Sequence, residues 1–201
     1  MAVHRDPILR WLLERGVDPN RQSEFTYAFP CRDRCTPLST AAQAGDDGVQ
    51  GLCTLLEFGA ALDPLALLWA VNGSSRGGAP GTAALTLLID AGADVDYVSE
   101  RWSTALSHAV RNGMVEKVRV LLEAGADPRV RYDWHHQYAR QPWKCGVDVC
   151  GMKACKENAV DVAKRARKED GELLRMLEEA VARLEETERV TGIHGCCETD
   201  E

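Results

Sequence analysis

Four segments of this chain of 201 residues are versions of one another, and their spacing constrains the fold more than any other feature. They are LLERGVDPN (12–20), LLEFGAALD (55–63), LIDAGADVD (88–96) and LLEAGADPR (121–129). Their first glycines stand at positions 16, 59, 92 and 125, so the steps are 43, 33 and 33 residues. A unit of this length cannot bury its apolar face alone, and the units are predicted to stack around one continuous core.

A second family of segments supplies the other half of each unit. Its members are TPLSTAAQAG (36–45), LALLWAVNG (65–73), TALSHAVRNG (104–113) and, as a further candidate, NAVDVAKRA (158–166). Their apolar and small residues recur at helical spacing. Thr36 and Thr104 are placed to cap a helix, and Gly45 or Gly113 to end it in left-handed backbone. Each unit is therefore predicted to be a helix, a turn and a second helix.

This pattern resembles the ankyrin repeat, whose T-P-L-H-x-A signature is matched at Thr36 to Ala41 and more loosely at Thr104 to Ala109. The resemblance implies an all-α ankyrin-repeat solenoid of stacked helix-turn-helix units with short β-hairpin fingers. It implies about four to five repeats, including an N-terminal half-repeat and a C-terminal capping helix. The departures are Ser39 and Ser107 in place of the signature histidine and Leu65 in place of the capping threonine. We expect these to loosen local capping without changing the fold.

One ankyrin-repeat domain is expected over residues 1–190, with insertions at 20–35, 74–81 and 129–157 and a flexible acidic tail at 191–201. Of the intervals that lead to a first helix, Gly92–Thr104 has the ordinary length of a finger, and Gly59–Leu65 is too short for one. The first unit has no room for its first helix. Either this half-repeat caps the stack or the start of the chain is missing. At the other end, residues 171–189 form an amphipathic pattern suited to a capping helix.

Composition excludes several classes of function. A net charge of -7 and a pI near 5.3 argue against a nucleic-acid partner, which requires a basic surface. No apolar run approaches the length of a membrane span, and the first residues lack the apolar region of a signal peptide. The eight cysteines are then expected to be reduced thiols. We expect a cytoplasmic or nuclear monomer.

No catalytic residues are predicted. The glycine-rich stretch GSSRGGAPG (73–81) lacks the lysine and hydroxyl with which a phosphate-binding loop holds its ligand. Ser107 and His108 are neighbours on a predicted helix, so their side chains diverge and cannot act as nucleophile and base. His108 is expected to face solvent or a partner.

The long insertion carries a pattern that could bind zinc. Cys145, Cys150 and Cys155 are separated by four residues each, and His135 or His136 could supply a fourth ligand. A long segment without a core of its own would gain order from such a metal clip. An ordinary packed loop is the preferred interpretation, so no cofactor is predicted, and a zinc-stabilised recognition lobe is the alternative.

Similarity to ankyrin proteins implies a non-catalytic protein-protein interaction module, a scaffold or adaptor. Such a module binds its protein partner through the finger tips and the concave face of the first helices. The positions that match are Arg32, Asp33, Gln43, Tyr97, Glu100, Arg101, Trp102, Ser103, Arg111 and Asn112. Tyr132 and Trp134 belong to an aromatic group in the long insertion. These aromatic side chains either anchor the partner or pack the insertion onto the stack.

Overall fold

The computed structural model describes residues 6–22, 36–73, 81–99, 103–133, 156–166 and 171–191, and this part of the chain is mostly helical. The helices are α1 (Asp6–Glu14), α2 (Pro37–Gln43), α3 (Val49–Glu57), α4 (Ala66–Asn72), α5 (Ala83–Asp90), α6 (Ala105–Arg111), α7 (Val115–Glu123), α8 (Ala159–Ala166) and α9 (Gly171–Thr191). A 3₁₀ turn, Gly45–Gly48, leads into α3. Two short strands, β1 (Tyr132–Asp133) and β2 (Lys156–Glu157), pair antiparallel as a ribbon. No helix in these ranges is both long enough and apolar enough to cross a membrane.

The helices pack in two layers. In the first layer α2 contacts α4, α4 contacts α6, and α6 contacts α8. In the second layer the contacts run in the same way from α1 through α3, α5 and α7 to α9. Each first-layer helix also packs against the helix that follows it, so α2–α3, α4–α5, α6–α7 and α8–α9 are helix-turn-helix pairs. The first helix of the described residues, α1, lies in the second layer beside α3.

The core repeats the same side chains at the same position of successive pairs. In the first layer, the third residue of each of the segments that begin at Thr36, Leu65 and Thr104 is a fully buried leucine. These residues are Leu38, Leu67 and Leu106. In the second layer, the first residue of each of the last three repeated segments is a fully buried leucine. These residues are Leu55, Leu88 and Leu121. Small residues such as Ala70 and Ala109, which are also fully buried, let neighbouring helices approach closely. Burial of these side chains is the main stabilising contribution to helices that would be too short to persist alone.

Helix starts in the first layer follow the predicted caps. The Thr36 side chain accepts a hydrogen bond from the Ser39 N–H at 3.1 Å, and the Thr36 N–H donates to Ser39 Oγ at 2.9 Å. The expectation of looser capping at Ser39 is therefore wrong, because serine completes a reciprocal capping box. At Leu65 the side-chain cap is absent as expected, and the Leu65 N–H donates instead to Asp63 Oδ1 at 2.9 Å.

Turns between helices are set by glycines in left-handed backbone. Gly16, Gly59, Gly92 and Gly125 have φ values of 84°, 80°, 91° and 89°, and the predicted left-handed positions Gly45 and Gly113 have 62° and 68°. Side chains just beyond these turns join neighbouring units. The Ala61 N–H donates to Asn20 Oδ1 at 2.7 Å, and the Asp127 N–H donates to Asp96 Oδ1 at 2.9 Å. Successive turns are thus held in register.

The predicted capping helix is α9, whose Leu173, Leu177 and Ala180 are buried against the preceding helices. The predicted tail overlaps α9 at Thr191, and its other residues lie outside the described part of the chain. The same holds for most of the predicted insertions, namely residues 23–35, 74–80 and 134–155.

Candidate functional site

Equivalent positions of the first-layer helices form a row, with one residue on each helix. The row consists of Gln43 on α2, Asn72 on α4, Arg111 on α6 and Arg165 on α8. Its side chains are exposed or half-exposed, whereas the leucines at the third position of the same segments are buried. The framework therefore repeats while the chemistry of the row changes from one helix to the next. We call this row, with the exposed Thr40 and Asn112 beside it, the first-layer face.

His108 lies beneath this face. The side chain is 7% exposed, so the expectation that it faces solvent or a partner is wrong. Its Nε2 lies 2.7 Å from Asn72 Oδ1, which joins α6 to α4. Burial, together with the smaller effect of the nearby charges of Arg111 and Lys117, lowers the pKa of His108 to about 4. The imidazole is therefore neutral at pH 7, with its Nε2–H donating to the amide oxygen of Asn72.

Two arginines of the row hold the ribbon. Arg111 Nη2 donates to the Tyr132 hydroxyl at 2.8 Å, and Arg165 Nη1 forms an ion pair with the Glu157 carboxylate. Tyr132 and Glu157 are themselves partners across the ribbon. Both ends of the insertion 134–155 are thus fixed next to each other beside α6 and α8. Because Tyr132 is 6% exposed, its side chain packs the root of the insertion and is not available to anchor a partner.

The predicted finger between α5 and α6 is described at its base. Ser99 and Ser103 pair antiparallel, with the Ser99 N–H donating to the Ser103 carbonyl at 3.1 Å and the reverse bond at 3.2 Å. Ser103 has a φ of 70°, in the region that favours glycine, and its side chain is 3% exposed. Ser103 thus lies buried at the base of the finger, and its contact with a partner stays a prediction. Tyr97 is half-buried beside the exposed Val98.

The remaining predicted residues divide into two groups. Gln43 and Asn112 are exposed on the first-layer face, and the Asn112 side chain donates to the His108 carbonyl at 2.9 Å. Outside the described residues lie Arg32, Asp33, Glu100, Arg101, Trp102 and Trp134, together with the metal-ligand candidates His135, His136, Cys145, Cys150 and Cys155. Among the residues that the structure does describe, no group of three or more His, Cys, Asp or Glu side chains could hold a metal ion.

A groove on α4 was not predicted from the sequence. It is a shallow depression lined by Leu65, Leu68, Trp69 and Asn72, of which only Asn72 is exposed, and we call it the α4 groove. A signal for it was present, because Trp69 stands where α2 has Thr40 and α6 has His108.

The end of α4 is closed by a buried lysine from the next pair. Lys117 of α7 is 4% exposed, and its Nζ donates to the carbonyls of Ala70, Val71 and Gly73 at 3.1, 2.7 and 2.7 Å. Burial lowers the pKa of Lys117, an effect that the negative charge of Asp46 opposes. The three hydrogen bonds satisfy carbonyls that the end of a helix otherwise leaves without a donor. This fixes the position of Asn72 and of the groove that it lines.

Comparison with known families identifies one matching family model. The model described as "Ankyrin repeat" matches residues 102–133, which include α6, α7 and β1. The comparison with curated proteins gave no match.

Proposed function

We propose that this chain is an ankyrin-repeat protein and that it is a non-catalytic module that binds a protein partner; the ankyrin-repeat family model matches residues 102–133. Ankyrin repeats generally mediate protein–protein interaction. One observation carries the proposal: the buried leucines repeat from pair to pair, whereas the row above them reads Gln, Asn, Arg and Arg.

The architecture that we propose is a solenoid of about four to five repeats, with α1 as a half-repeat at one end and α9 as a cap at the other. The unbroken series of contacts in both layers supports it. In such an arrangement the first-layer face lies on the concave side and extends the length of the stack. The partner then meets several helices at once, as well as the finger tips.

The partner-binding surface that we propose combines three parts. Gln43 and Asn112 belong to the first-layer face. Arg101 and Trp102 stand between Ser99 and Ser103 in the sequence, and the sequence predicts that Arg32 and Asp33 belong to an earlier finger. Aromatic and arginine side chains are the residues on which protein interfaces most often depend.

Quantitative affinity capture from source cells tests this surface. One variant carries Gln43→Arg and Asn112→Arg, which place new charge and bulk on the first-layer face without removing a buried side chain. Its control carries Gln50→Arg and Thr86→Arg, which make comparable changes at exposed positions of the second layer. A third variant, Arg101→Ala with Trp102→Ala, tests the finger separately.

We expect a set of proteins that wild type and the second-layer control retain equally and that the first-layer variant loses. Circular dichroism and thermal unfolding of each variant confirm that the fold is intact. Retention of the same proteins by all variants would exclude the first-layer face as the site. Loss with the second-layer control instead would place the interface on the opposite side of the molecule.

The zinc-stabilised lobe is the alternative, and one observation bears on it. Because the ribbon joins the ends of residues 134–155, ligands within that segment would belong to a closed loop, which lowers the entropic cost of bringing them together. Metal analysis of protein purified under reducing conditions tests this. We expect below about one-tenth of an equivalent of zinc. A full equivalent that disappears in Cys150→Ser, but not in the control Cys53→Ser, would establish the metal lobe instead.

A further inference from the structure

The side of α1 that is not packed against α3 carries a patch of exposed apolar side chains. Among the residues that the structure describes, six large apolar side chains are exposed, and three of them lie on this one helix of nine residues. They are Ile8 at 64%, Trp11 at 50% and Leu12 at 37%. Residues three and four positions apart lie on one side of a helix, so these three side chains form a continuous surface. We call it the α1 patch.

The later units show that this side of a second-layer helix is otherwise covered. Leu12 is the first residue of its repeated segment, and its equivalents Leu55, Leu88 and Leu121 are at most 1% exposed. Each of α3, α5 and α7 contacts a second-layer helix on either side, whereas α1 has such a neighbour, α3, on one side. The α1 patch is therefore a helix side of the kind that elsewhere in this molecule packs against neighbouring helices.

The largest side chain of the α1 patch is already held in place. The guanidinium carbon of Arg15 lies over the ring of Trp11, 3.6 Å from the ring centroid. A stacked indole loses less side-chain entropy when a second surface covers it than a mobile one does. Tryptophan and arginine are also among the side chains on which protein interfaces most often depend. The α1 patch thus has the composition of an interface and a preformed centre.

Charge indicates which surface matches the α1 patch. Residues 6–22 carry three basic and three acidic side chains and have no net charge, whereas the whole chain carries -7. A second copy is therefore not repelled at this end of the molecule. At the other end, α9 carries six glutamates against three arginines, so its exposed side does not match an apolar patch. The surface of this chain that matches the α1 patch in both apolar character and charge is the α1 patch of a second copy.

We infer, in place of the monomer expected from the sequence, that two copies of this chain associate through their α1 patches about a two-fold axis. Two-fold pairing covers both patches at once, because each is the partner of the other. A patch of this kind measures on the order of a few hundred Å². Two such patches bury less than the roughly 1,200 Å² at which stable interfaces begin, so the dimer is reversible and monomers predominate at low concentration.

The dimer goes beyond the proposed function and does not depend on it. The first-layer face lies on α2, α4, α6 and α8, whereas the α1 patch belongs to a second-layer helix at one end of the series. Pairing through α1 therefore uses none of the residues of the first-layer face. A dimer would present two such faces, and a partner with two matching sites would bind it more tightly than it binds one copy.

Analytical ultracentrifugation of the full chain over a range of concentrations tests this association. Between about 1 and about 500 µM, we expect the mean mass of wild type to rise from the 22.1 kDa of one chain towards twice that value. The variant Ile8→Glu places a carboxylate in both α1 patches without removing a core side chain, because Ile8 is largely exposed. Its dissociation constant should be at least about tenfold higher. Circular dichroism confirms that the variant is folded.

The matched control is Val190→Glu, which makes the same kind of change at an exposed apolar side chain near the end of α9. We expect this variant to associate as wild type does. Loss of association in Val190→Glu, with no change in Ile8→Glu, would place the interface at the other end of the molecule. A mass that rises past twice 22.1 kDa would mean that the α1 patch binds a different surface of the next copy. Either result would overturn the inference.

Amide hydrogen exchange of wild type supplies a second measurement that requires no substitution. Exchange in α1 should slow as the concentration rises through the range of association. Exchange in α6, which contacts both α4 and α8 within one copy, should change little. A mass of 22.1 kDa at every concentration, with exchange in α1 independent of concentration, would overturn the inference. The affinity-capture experiment on the first-layer face would stand in that case, so the two proposals fail separately.

Discussion

The stability of the folded protein at acid pH depends in part on the protonation of one side chain, His108. Its pKa is about 4 in the folded protein, chiefly because of burial, against 6.5 for an unperturbed histidine. Between these values the unfolded chain binds more protons than the folded one. The titration of His108 therefore costs no stability above pH 6.5, the pKa in the unfolded chain. As the pH falls from there towards about 4, the pKa in the folded protein, the free energy of unfolding decreases. The loss amounts to about 3 kcal/mol.

The substitution His108→Gln tests this contribution. Glutamine keeps an amide donor that can reach Asn72 Oδ1 but does not titrate, so we expect a shallower fall in stability over the same pH range. Urea unfolding of wild type and variant at a series of pH values provides the measurement. Carboxylates that titrate in both proteins cancel in the difference. Parallel curves for the two proteins would show that protonation of His108 is not involved.

Lys117 stabilises the end of α4 by the three hydrogen bonds that its ammonium donates to backbone carbonyls. The substitution Lys117→Met keeps the length and apolar stem of the side chain but leaves those carbonyls without their donor. We expect a loss of about 3 kcal/mol in the free energy of unfolding. The exposed Lys164→Met on α8 is the control, and its expected change is within about 0.5 kcal/mol. Equal effects of the two substitutions would rule out the proposed contribution.

At the scale of elements, α9 is attached to the turn after α7 by charged side chains as well as by its buried leucines. Arg129 Nη2 lies 2.7 Å from Glu188 Oε1 and 3.0 Å from Asp127 Oδ2. The hydrogen bonds with Glu188 and Asp127 raise the pKa of Arg129, so its charge is secure at any accessible pH. The side chains of Arg129 and Glu188 are 34% and 42% exposed, and solvent therefore weakens their pairing.

We expect Glu188→Gln to lower the free energy of unfolding by no more than about 1 kcal/mol. Its clearer effect is local, since amide hydrogen exchange in the last turns of α9 should accelerate while the turns around Leu177 stay protected. Glu185→Gln, one turn earlier at an exposed position, is the control and should leave exchange unchanged. Uniform acceleration along the whole of α9 would mean that the charged contact holds the entire helix.

Elements that depend on a local pattern were predictable from the sequence. Helix pairs, the caps at Thr36 and Thr104 and the left-handed glycines each follow from a few neighbouring residues. Features that depend on contacts between different helix pairs were not predictable from the sequence. His108 is buried where it contacts Asn72 of α4, and Lys117 donates to carbonyls 44 to 47 positions earlier in the chain.

For the whole molecule, stability should vary along the series of helix pairs. Each helix packs mainly against its neighbours, so a helix in the middle is covered on two sides and one at the end on a single side. At one end, α1 buries Leu13 at 7% exposure but leaves Ile8 at 64% and Trp11 at 50%. In the middle, α6 buries Leu106 at 1%. Opening of α1 should therefore require far less free energy than opening of α6.

Two matched leucine substitutions test this gradient by native-state hydrogen exchange. Leu106→Ala removes a buried side chain of α6, a helix that contacts both α4 and α8, and it should lower protection throughout the described helices by about 3 kcal/mol. Leu13→Ala should accelerate exchange in α1 alone, because α1 opens before the other helices and its stability does not limit theirs. If Leu13→Ala lowered protection in α6 as much as Leu106→Ala does, the protein would unfold as one cooperative unit. Recognition would then involve a rigid surface, whereas a gradient would allow a partner bound to the first-layer face to stabilise the helix pairs that it contacts.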